Sequence, residues 1–330
     1  MKILGMGNAL VDIMTSLKDD AILQRFKLPK GSMTLVDNEM SSYVHNETIG
    51  LPKQKTSGGS AANTIHGLAH LGVEASFIGK IGNDELGKFF KKDMKNCGIA
   101  PILFNSITET GRAVALVTPD SERTFATYLG AAVELDAQDL TADIFKGNDF
   151  FYIEGYLVQN KELIQKALRL AKNLGIKTCL DLASYNIVLD NVDFLKQILT
   201  EYVDIVFANE EESKALTGKS PEEALDELSG MCEMAIIKIG PKGSLIKFGS
   251  EVIVVNARNA KSIDTTGAGD LYAAGFLYGL GKGLSLKMAG EIGSLLAAKV
   301  IEDIGAKMGE STWEMLRREI KSIENNPIPN

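Results

Sequence analysis

The sequence predicts an α/β protein in which a doubly wound, mostly parallel sheet is covered by helices on both faces. Short β-type segments alternate with helical segments along most of the chain, and this alternation is typical of parallel sheets with helical crossovers. A chain of 330 residues with 45% apolar residues can bury a large core. Two polar, turn-rich segments interrupt the alternation and indicate an added β-rich element.

Six short segments are predicted as the strands of the sheet: residues 3–5, 75–79, 150–153, 177–180, 205–207 and 235–239. Parallel neighbours require long crossover connections, and the longer segments between these strands are predicted as the crossover helices. They are residues 61–71, 85–96, 161–174 and 221–232. The α/β core is accordingly assigned to residues 1–14, 58–105 and 132–330.

Residues 15–57 and 106–131 are predicted to form a small β-rich lid. The first segment is polar and rich in turn residues. In residues 111–129, apolar and polar residues alternate as in a β-hairpin, with the turn at residues 119–121. A lid above the carboxyl ends of the core strands would exclude water from a site there. The other interpretation is a pair of separate surface excursions. A homodimer formed through the lid is a further expectation, and residues 324–330 are expected to form a frayed tail.

The composition argues against several classes of partner and site. A formal net charge of −8 disfavours general binding of nucleic acid. Cys97, Cys179 and Cys232 lie far apart without CxxC spacing, which indicates neither a disulfide framework nor a zinc site. No run of about eighteen apolar residues is present and no secretion signal is recognisable, so we expect a cytoplasmic protein without a membrane partner.

One stretch combines the features of a phosphoryl-transfer site. In residues 264–270, two aspartates enclose hydroxyl and small residues, and an apolar helical sequence follows directly. The amides of Gly267, Ala268 and Gly269 at a helix start would bind an anion such as phosphate. Asp270 is ionised at neutral pH and can accept a proton from a hydroxyl group beside it. The simpler interpretation is an aspartate cap on a glycine-containing turn.

Residues 264–270 resemble the C-terminal signature of the ribokinase-like, or PfkB-type, carbohydrate and nucleoside kinases. Residues 57–63 resemble the N-terminal signature of the same family. In that signature, a turn formed by the equivalents of Gly58 and Gly59 precedes a helical asparagine, here Asn63, that contacts substrate hydroxyls. The resemblance implies a ribokinase-like fold with a lid.

The residue after the two glycines bears on the branch of the family. Ribose-type members often have lysine there, whereas this chain has Ser60. That departure favours the adenosine-kinase-like branch. Residues 30–33 and 35–37 also resemble the lid segment of that branch.

Two further acidic residues align with substrate-binding positions of the family. Asp12 lies just past the first predicted strand, where an aspartate of these kinases holds substrate hydroxyls; a solvated or capping aspartate is the alternative. Glu154 corresponds to an acidic position near the substrate. Gly5 and Gly7 do not complete a dinucleotide fingerprint, because Leu10 stands where the third glycine is required.

The nucleotide side of the site is implied by two motifs. Asn209 and Glu212 share a helix face and resemble an Asn-x-x-Glu element whose glutamate helps to place Mg²⁺. Helix capping explains this pair equally well. Lys238, Gly240 and Gly243 stand where the family binds nucleotide, although a tight turn is the alternative.

A monovalent cation is a further expectation from the resemblance. Some members hold such an ion, K⁺ for example, on main-chain carbonyls. The corresponding positions here are near Asp264, Thr266, Val300, Asp303 and Gly305, and Asp264 is also assigned to cofactor binding.

The resemblance implies an ATP-dependent kinase that phosphorylates a primary hydroxyl of an adenosine-like nucleoside or of a sugar. Asp270 would take the hydroxyl proton, and the neighbouring amides and Mg²⁺ would stabilise the charge on the phosphoryl group. A sugar kinase acting on ribose, fructose or 2-keto-3-deoxygluconate is the first alternative. The second is a regulator that binds nucleotide without turnover. Phe125 and Tyr128 of the lid are candidates to stack on a base.

His66 and His70 stand four residues apart on a predicted helix, a spacing that occurs in zinc sites. Gly67 rather than glutamate follows His66, and the sequence offers no third ligand. We therefore interpret them as ordinary helix histidines.

Overall fold

The computed structural model describes residues 1–120 and 122–325. The strands of the described chain are β1 (Lys2–Met6), β2 (Leu10–Ser16), β3 (Met33–Leu35), β4 (Lys53–Gly58), β5 (Glu74–Gly82), β6 (Ala100–Ser106), β7 (Thr110–Val117), β8 (Arg123–Gly130), β9 (Phe150–Glu154), β10 (Lys177–Asp181), β11 (Ile205–Asn209), β12 (Met234–Lys238), β13 (Ser244–Phe248) and β14 (Glu251–Val255). The α-helices are α1 (Ala21–Arg25), α2 (Asn38–Glu47), α3 (Ser60–His70), α4 (Glu85–Asn96), α5 (Ala142–Phe145), α6 (Lys161–Asn173), α7 (Tyr185–Asp190), α8 (Val192–Glu201), α9 (Glu210–Thr217), α10 (Pro221–Ser229), α11 (Ala268–Gly281), α12 (Leu286–Val300) and α13 (Glu310–Asn325).

Nine strands form one large sheet in the order β14-β13-β12-β11-β10-β9-β1-β5-β6. Every neighbouring pair from β12 to β6 is parallel, and only the last two strands, β13 and β14, pair antiparallel. All six predicted strands lie in this sheet, and the four predicted helices correspond to α3, α4, α6 and α10. The predicted α/β fold is confirmed. The helix α10 ends earlier than predicted, at Ser229 instead of residue 232.

The large sheet is buried on both faces, because successive side chains of a strand point to opposite sides. In β1, Ile3 packs into the core on one face and Leu4 into the core on the other. The first core also contains buried residues of α3, α11, α12 and α13. The second contains residues of α6, α8 and α10. This two-sided burial explains why the strands are apolar throughout.

A second sheet has five strands in the order β3-β8-β7-β2-β4. Its strands β7 and β8 form the hairpin predicted in residues 111–129, and Ser121 at its tip lies outside the described residues. Residues 10–14 were predicted in the core, whereas the structure has them in β2, which pairs with β4 over Leu10–Thr15 and with β7 over Leu10–Ser16 in the small sheet. Gly58, also assigned to the core, ends β4 in the small sheet.

The small sheet has its own small core, which includes Leu23, Val44 and Leu116. That core favours a lid over separate surface excursions. The division into a core and a lid, and a homodimer formed through the lid, stay predictions.

Two residues of the expected frayed tail are helical in the structure. Glu324 and Asn325 belong to α13, and the carboxylate of Glu324 accepts a hydrogen bond of 2.9 Å from the hydroxyl of Tyr278. The other residues of that expected tail lie outside the described chain. None of the described helices combines the length and the apolar composition needed to cross a membrane.

Candidate active site

The predicted site residues lie mainly at one edge of the large sheet. The strands β1, β9, β10, β11 and β12 are parallel, so their carboxyl ends meet at this edge. A cavity of about 630 Å³, hereafter the central cavity, opens there. Its walls include Asp12, Gly59, Ser60, Asn63, Asp181, Asn209, Glu212, Lys238, Gly240 and residues 266–270. The fold thus brings together residues from every motif that the resemblance rests on.

Asp270 faces the central cavity from the first turn of α11. Its Oδ1 atom accepts a hydrogen bond of 2.7 Å from the Ser60 hydroxyl, and Oδ2 accepts one of 2.9 Å from the Asn63 amide. Burial raises the pKa of Asp270 to about 6, and the two hydrogen bonds limit the rise because they stabilise the ionised form. The carboxylate is therefore ionised at neutral pH and basic enough to take a proton.

Gly267 shapes the start of α11. Its φ of 79° lies in the left-handed region, and a Cβ atom at this position would lie 2.6 Å from the Cβ of Ala306. The amide of Ala268 donates a hydrogen bond to the carbonyl of Thr265. It is therefore not free to bind an anion, contrary to the prediction from the sequence. Within the described chain, the amides of Gly267 and Gly269 have no acceptor, and they stand at the positive end of a helix of 14 residues. Both amides are available as anion donors.

Asp264 stabilises the loop before α11. It lines neither the central cavity nor the adjoining cavity that Gly240 and Gly243 line. Its Oδ1 accepts a hydrogen bond of 2.9 Å from the amide of Thr266, and its Oδ2 accepts one of 2.6 Å from the amide of Gly305. The guanidinium of Arg123, from β8, forms an ion pair with the same carboxylate and donates to the Thr266 hydroxyl at 3.2 Å. The guanidinium of Arg123 thus places a positive charge beside this loop. A K⁺ requirement stays a prediction.

Asp12 and residues of the first glycine signature also line the central cavity. Burial raises the pKa of Asp12 to about 6, and the nearby ammonium of Lys307 opposes the rise. A Cβ atom at Gly58 would lie 2.3 Å from the Asp12 carboxylate, and one at Gly59 would lie 2.1 Å from the carbonyl oxygen of Asn8. The two glycines therefore allow the carboxylate and the chain to approach the start of α3.

Glu154 is held by protein donors on both of its oxygens. Oε1 accepts hydrogen bonds from the backbone and side-chain amides of Asn8 at 2.9 and 2.8 Å, and Oε2 accepts one of 2.8 Å from the amide of Ala61. Burial raises its pKa to about 7. This arrangement fixes the start of α3 to the large sheet, so Glu154 stabilises the position of the site. Its direct contact with substrate stays a prediction.

The nucleotide side of the central cavity is charged. Lys238 donates a hydrogen bond of 2.9 Å to Asp181, and this ion pair is nearly buried. Asn209 and Glu212 form a reciprocal capping box at the start of α9. Burial, followed by the charge of Asp181, raises the pKa of Glu212 to about 7. Capping and a ligand role are therefore compatible, because Asn209 orients the carboxylate at the wall of the cavity.

Two further cavities adjoin the central one. The first, of about 490 Å³, is lined by Gly240, Gly243 and residues of α12, and it shares Lys238 and Gly269 with the central cavity. We call it the nucleotide-side cavity. The second, of about 540 Å³, shares Gly59 and Ser60 with the central cavity and has mostly apolar walls. We call it the apolar cavity. Asp270 and the two free amides lie between them.

Comparison with known proteins identifies the family. The sequence pattern of the pfkB family carbohydrate kinases matches residues 36–313, which is most of the chain. The chain belongs to the pfkB family. It is therefore a carbohydrate or nucleoside kinase, a phosphotransferase with an alcohol group as acceptor, as the resemblance implied.

This pfkB kinase is similar both to sugar kinases and to nucleoside kinases. The structure of a probable sugar kinase from Rhizobium etli is 35% identical, with a TM-score of 0.87 and coverage of 96% of this chain and 98% of the other. The structure of adenosine kinase from Sinorhizobium meliloti is 35% identical, with a TM-score of 0.86 and coverage of 96% and 99%. Adenosine kinase from Saccharomyces cerevisiae is 27% identical over 325 residues, covering 91% of this chain and 94% of its own.

Membership of the family implies ATP and usually Mg²⁺. The residues on the nucleotide side fit such an ion, because carboxylates and water are the ligands that Mg²⁺ prefers. The carboxylates of Asp181, Glu210, Glu211 and Glu212 all belong to the walls of the central cavity.

Three residues of this pfkB kinase's site were not assigned a role from the sequence. Asp181 directly follows a predicted strand, and a carboxylate at the carboxyl end of a parallel strand is a signal that could have identified it. Ser60 was noticed only as a departure from the family pattern, whereas its hydroxyl bonds Asp270. Arg123 carries no local signal, because its partner Asp264 is remote in sequence. Of the two predicted lid aromatics, Phe125 lines the central cavity and Tyr128 lies outside it, against Arg112.

Replacing Gly267 by alanine should disturb the kinase more than the same change at Gly72. Both residues have left-handed φ angles, 79° and 82°, so each substitution should cost about 1–2 kcal/mol of folding free energy. Only Gly267 has a neighbour where the new methyl group would lie, which should cost about 1–3 kcal/mol more. Urea unfolding measures stability, and calorimetry measures MgATP affinity, which should fall only for Gly267→Ala. Equal losses and unchanged affinity would contradict this account of the loop.

Proposed function

We propose that this kinase transfers the γ-phosphoryl group of ATP to a primary hydroxyl of an adenosine-like nucleoside. The apolar cavity is the observation that supports it, because its mostly apolar volume of about 540 Å³ begins at Ser60, beside Asp270. A sugar alone would leave these walls without a partner, whereas a purine would bury both of its faces against them. The walls include Leu10, Leu35, Leu129, Val133, Leu157 and Ile187.

The acceptor's sugar hydroxyls would bind to Asp12 and Asn63. The Oδ1 atom of Asn63 is buried without a hydrogen-bond partner in the described chain, although its amide nitrogen donates to Asp270. A buried acceptor of this kind is costly unless a ligand donates to it. Asp12 faces the same cavity with a carboxylate that can accept two hydroxyl donors. The pair suits a vicinal diol such as that of ribose.

Asp270 would act as the general base. The hydroxyl oxygen of the acceptor forms a bond to the γ-phosphorus while the bond from that phosphorus to the bridging oxygen of ADP breaks. Asp270 takes the hydroxyl proton. Ser60 and Asn63 hold the carboxylate in place, so that a single orientation is presented to the acceptor.

The charge on the transferring group would be stabilised by fixed donors. The amides of Gly267 and Gly269 lie at the positive end of α11, and the ammonium of Lys238 lies beside Gly269, 3.0 Å from where a Cβ atom of that residue would stand. Burial alone would lower the pKa of Lys238, but the charges of Asp181 and Glu212 raise it, so the residue stays protonated. These groups are in position before the reaction and need little reorganisation.

Mg²⁺ would be held on the nucleotide side by Glu212 and Asp181, with water completing its ligand shell. When bound, the ion neutralises phosphate charge and orients the phosphates. Glu212 is oriented for this by Asn209, which donates to both of its oxygens at 2.8 Å. Gly240 and Gly243 would allow the nucleotide to approach the chain closely in the nucleotide-side cavity.

A sugar kinase remains the second candidate, because the likeness to a probable sugar kinase is as strong as that to an adenosine kinase. A regulator without turnover is disfavoured, since Asp270 is hydrogen-bonded as a base would be and faces the central cavity.

A panel of acceptors tests the proposal. With MgATP we expect adenosine or inosine to be phosphorylated with a kcat/KM at least about 30-fold above that of ribose, fructose or 2-keto-3-deoxygluconate. Burial of a base against the apolar cavity contributes about 2–3 kcal/mol, which corresponds to such a ratio. The measurement is ADP release at several acceptor concentrations, with an acceptor-free reaction as control. Turnover with sugars alone would reject the nucleoside assignment, and no turnover with any acceptor would reject the proposed catalysis.

Asp270→Asn should keep nucleoside and MgATP binding but lower kcat by about 10²–10⁴-fold, because an amide cannot take the hydroxyl proton. Calorimetry measures binding, and ADP release measures turnover. Asp193→Asn is the matched control, because Asp193 is an exposed aspartate in the first turn of α8, away from the cavities. A near wild-type rate for Asp270→Asn would show that another group is the base.

Ser60→Ala should move the acidic limb of the kcat/KM profile to higher pH. The base works when ionised, so activity is lost as pH falls through its pKa, which is about 6 in the intact protein. Ser60 lowers that pKa through its hydrogen bond, so its removal raises the pKa, by about 1–2 units for a bond to a charged group. Ser57→Ala is the control, because the buried Ser57 hydroxyl has no partner in the described chain. An unshifted limb would exclude this role of Ser60.

A further inference from the structure

Three side chains that commonly bind metals meet away from the cavities described above. His66 and His70 lie one turn apart on α3, and Cys97 caps the end of α4. One ligand atom from each lies within 4.8 Å of the others, and Nε2 of His66 is 2.9 Å from Sγ of Cys97. The sequence supplied no third ligand for the two histidines. The fold supplies it, because α4 ends beside the middle of α3.

The orientation of His70 suits a metal ligand. Its ring is stacked on that of Trp313 in α13, with centroids 4.8 Å apart and an angle of 3° between the planes. Its Nδ1 atom lies 3.8 Å from the carboxylate of Glu310, so Nδ1 faces an acid and Nε2 is left for another partner. Histidines that bind metals usually have such a carboxylate at the second ring nitrogen, because it orients the ring.

We propose that His66, His70 and Cys97 form a Zn²⁺ site whose fourth position is taken by water. Two imidazoles and a thiolate are donors that zinc prefers, and three protein ligands with one open position is an established zinc arrangement. The ion would replace the contact between His66 and Cys97, and the two atoms would separate to the spacing of tetrahedral ligands.

The protonation of the histidines suits this site. Burial lowers the pKa of both His66 and His70, so both are neutral at neutral pH, which is the form that binds metal. Burial raises the pKa of the Cys97 thiol, and a bound zinc ion would displace that proton.

One charge opposes a cation at this place. The ammonium of Lys307 is buried, and its nitrogen has no hydrogen-bond partner in the described chain. Burial lowers the pKa of Lys307 to about 8, and the charge of Asp93 opposes that change. The carboxylates of Asp93 and Glu310 would offset that charge.

The three ligands line none of the three cavities around Asp270, so a bound zinc ion would act on the fold and not on the transferring phosphoryl group. It would tie α3 to α4. The same helix α3 begins with Ser60 and contains Asn63, the two residues that hold Asp270. Zinc bound to the folded state alone would also raise stability by mass action.

Zinc binding to the full chain tests the proposal directly. Protein dialysed against Zn²⁺ and freed of excess metal should retain one equivalent by mass spectrometry, and Co²⁺ should give the charge-transfer absorption of a thiolate ligand. Cys97→Ser and His70→Gln should each lower zinc affinity more than about 100-fold, beyond the 10–100-fold cost of losing an outer carboxylate. Glu310→Gln should fall within that smaller range. Cys232→Ser and His45→Gln are matched controls, because neither residue belongs to the cluster, and they should keep wild-type affinity.

The melting temperature gives a second measure, since zinc should raise it in the wild type and not in Cys97→Ser. If Cys97→Ser does not fold, the Co²⁺ absorption of the wild type and its loss in His70→Gln decide the question. A wild-type chain that retains no zinc would overturn the proposal. So would zinc binding that survives either substitution, because all three ligands are required.

Discussion

The site depends on two hydrogen bonds that join the starts of two helices. Ser60 and Asn63, in the first turns of α3, donate to Asp270 in the first turn of α11, although more than 200 residues separate them in sequence. Burial alone would favour a protonated, neutral carboxyl group at this place. The two donors keep it ionised, and they also fix its direction. Without these two donors the carboxyl group would be protonated. No base would then lie beside the free amides of α11.

That arrangement rests in turn on Glu154 and on glycines. Glu154 holds the amide of Ala61 at the start of α3 and both amides of Asn8 after β1, so the helix start is fixed to the sheet. Gly267 provides the left-handed turn before α11. Glu154 and the turn at Gly267 set the positions of the two helix starts, and a small displacement of either start would separate the base from its donors.

Much of this could be predicted from the sequence, because the relevant signals are local. Alternating strands and helices indicated the sheet, and the hydroxyl and glycine residues before α11 indicated an anion site with Asp270 at its end. Three features were missed, two of them because they depend on contacts between remote segments. The strand β2 follows β1 closely, yet its pairing with β4 and β7 places it in the small sheet. The amide of Ala268 is consumed by a local turn, and Cys97 reaches His66 only because α4 packs against the same side of the sheet.

Arg123 belongs to a strand of the small sheet, and the carboxylate it pairs with belongs to the loop that leads into α11. The two charges are almost entirely shielded from water, so neither can be left alone without a large electrostatic cost. Separation of the two sheets would therefore have to rehydrate both groups at once. This contact joins the small sheet to the loop before α11 through the same carboxylate that accepts hydrogen bonds from the amides of Thr266 and Gly305.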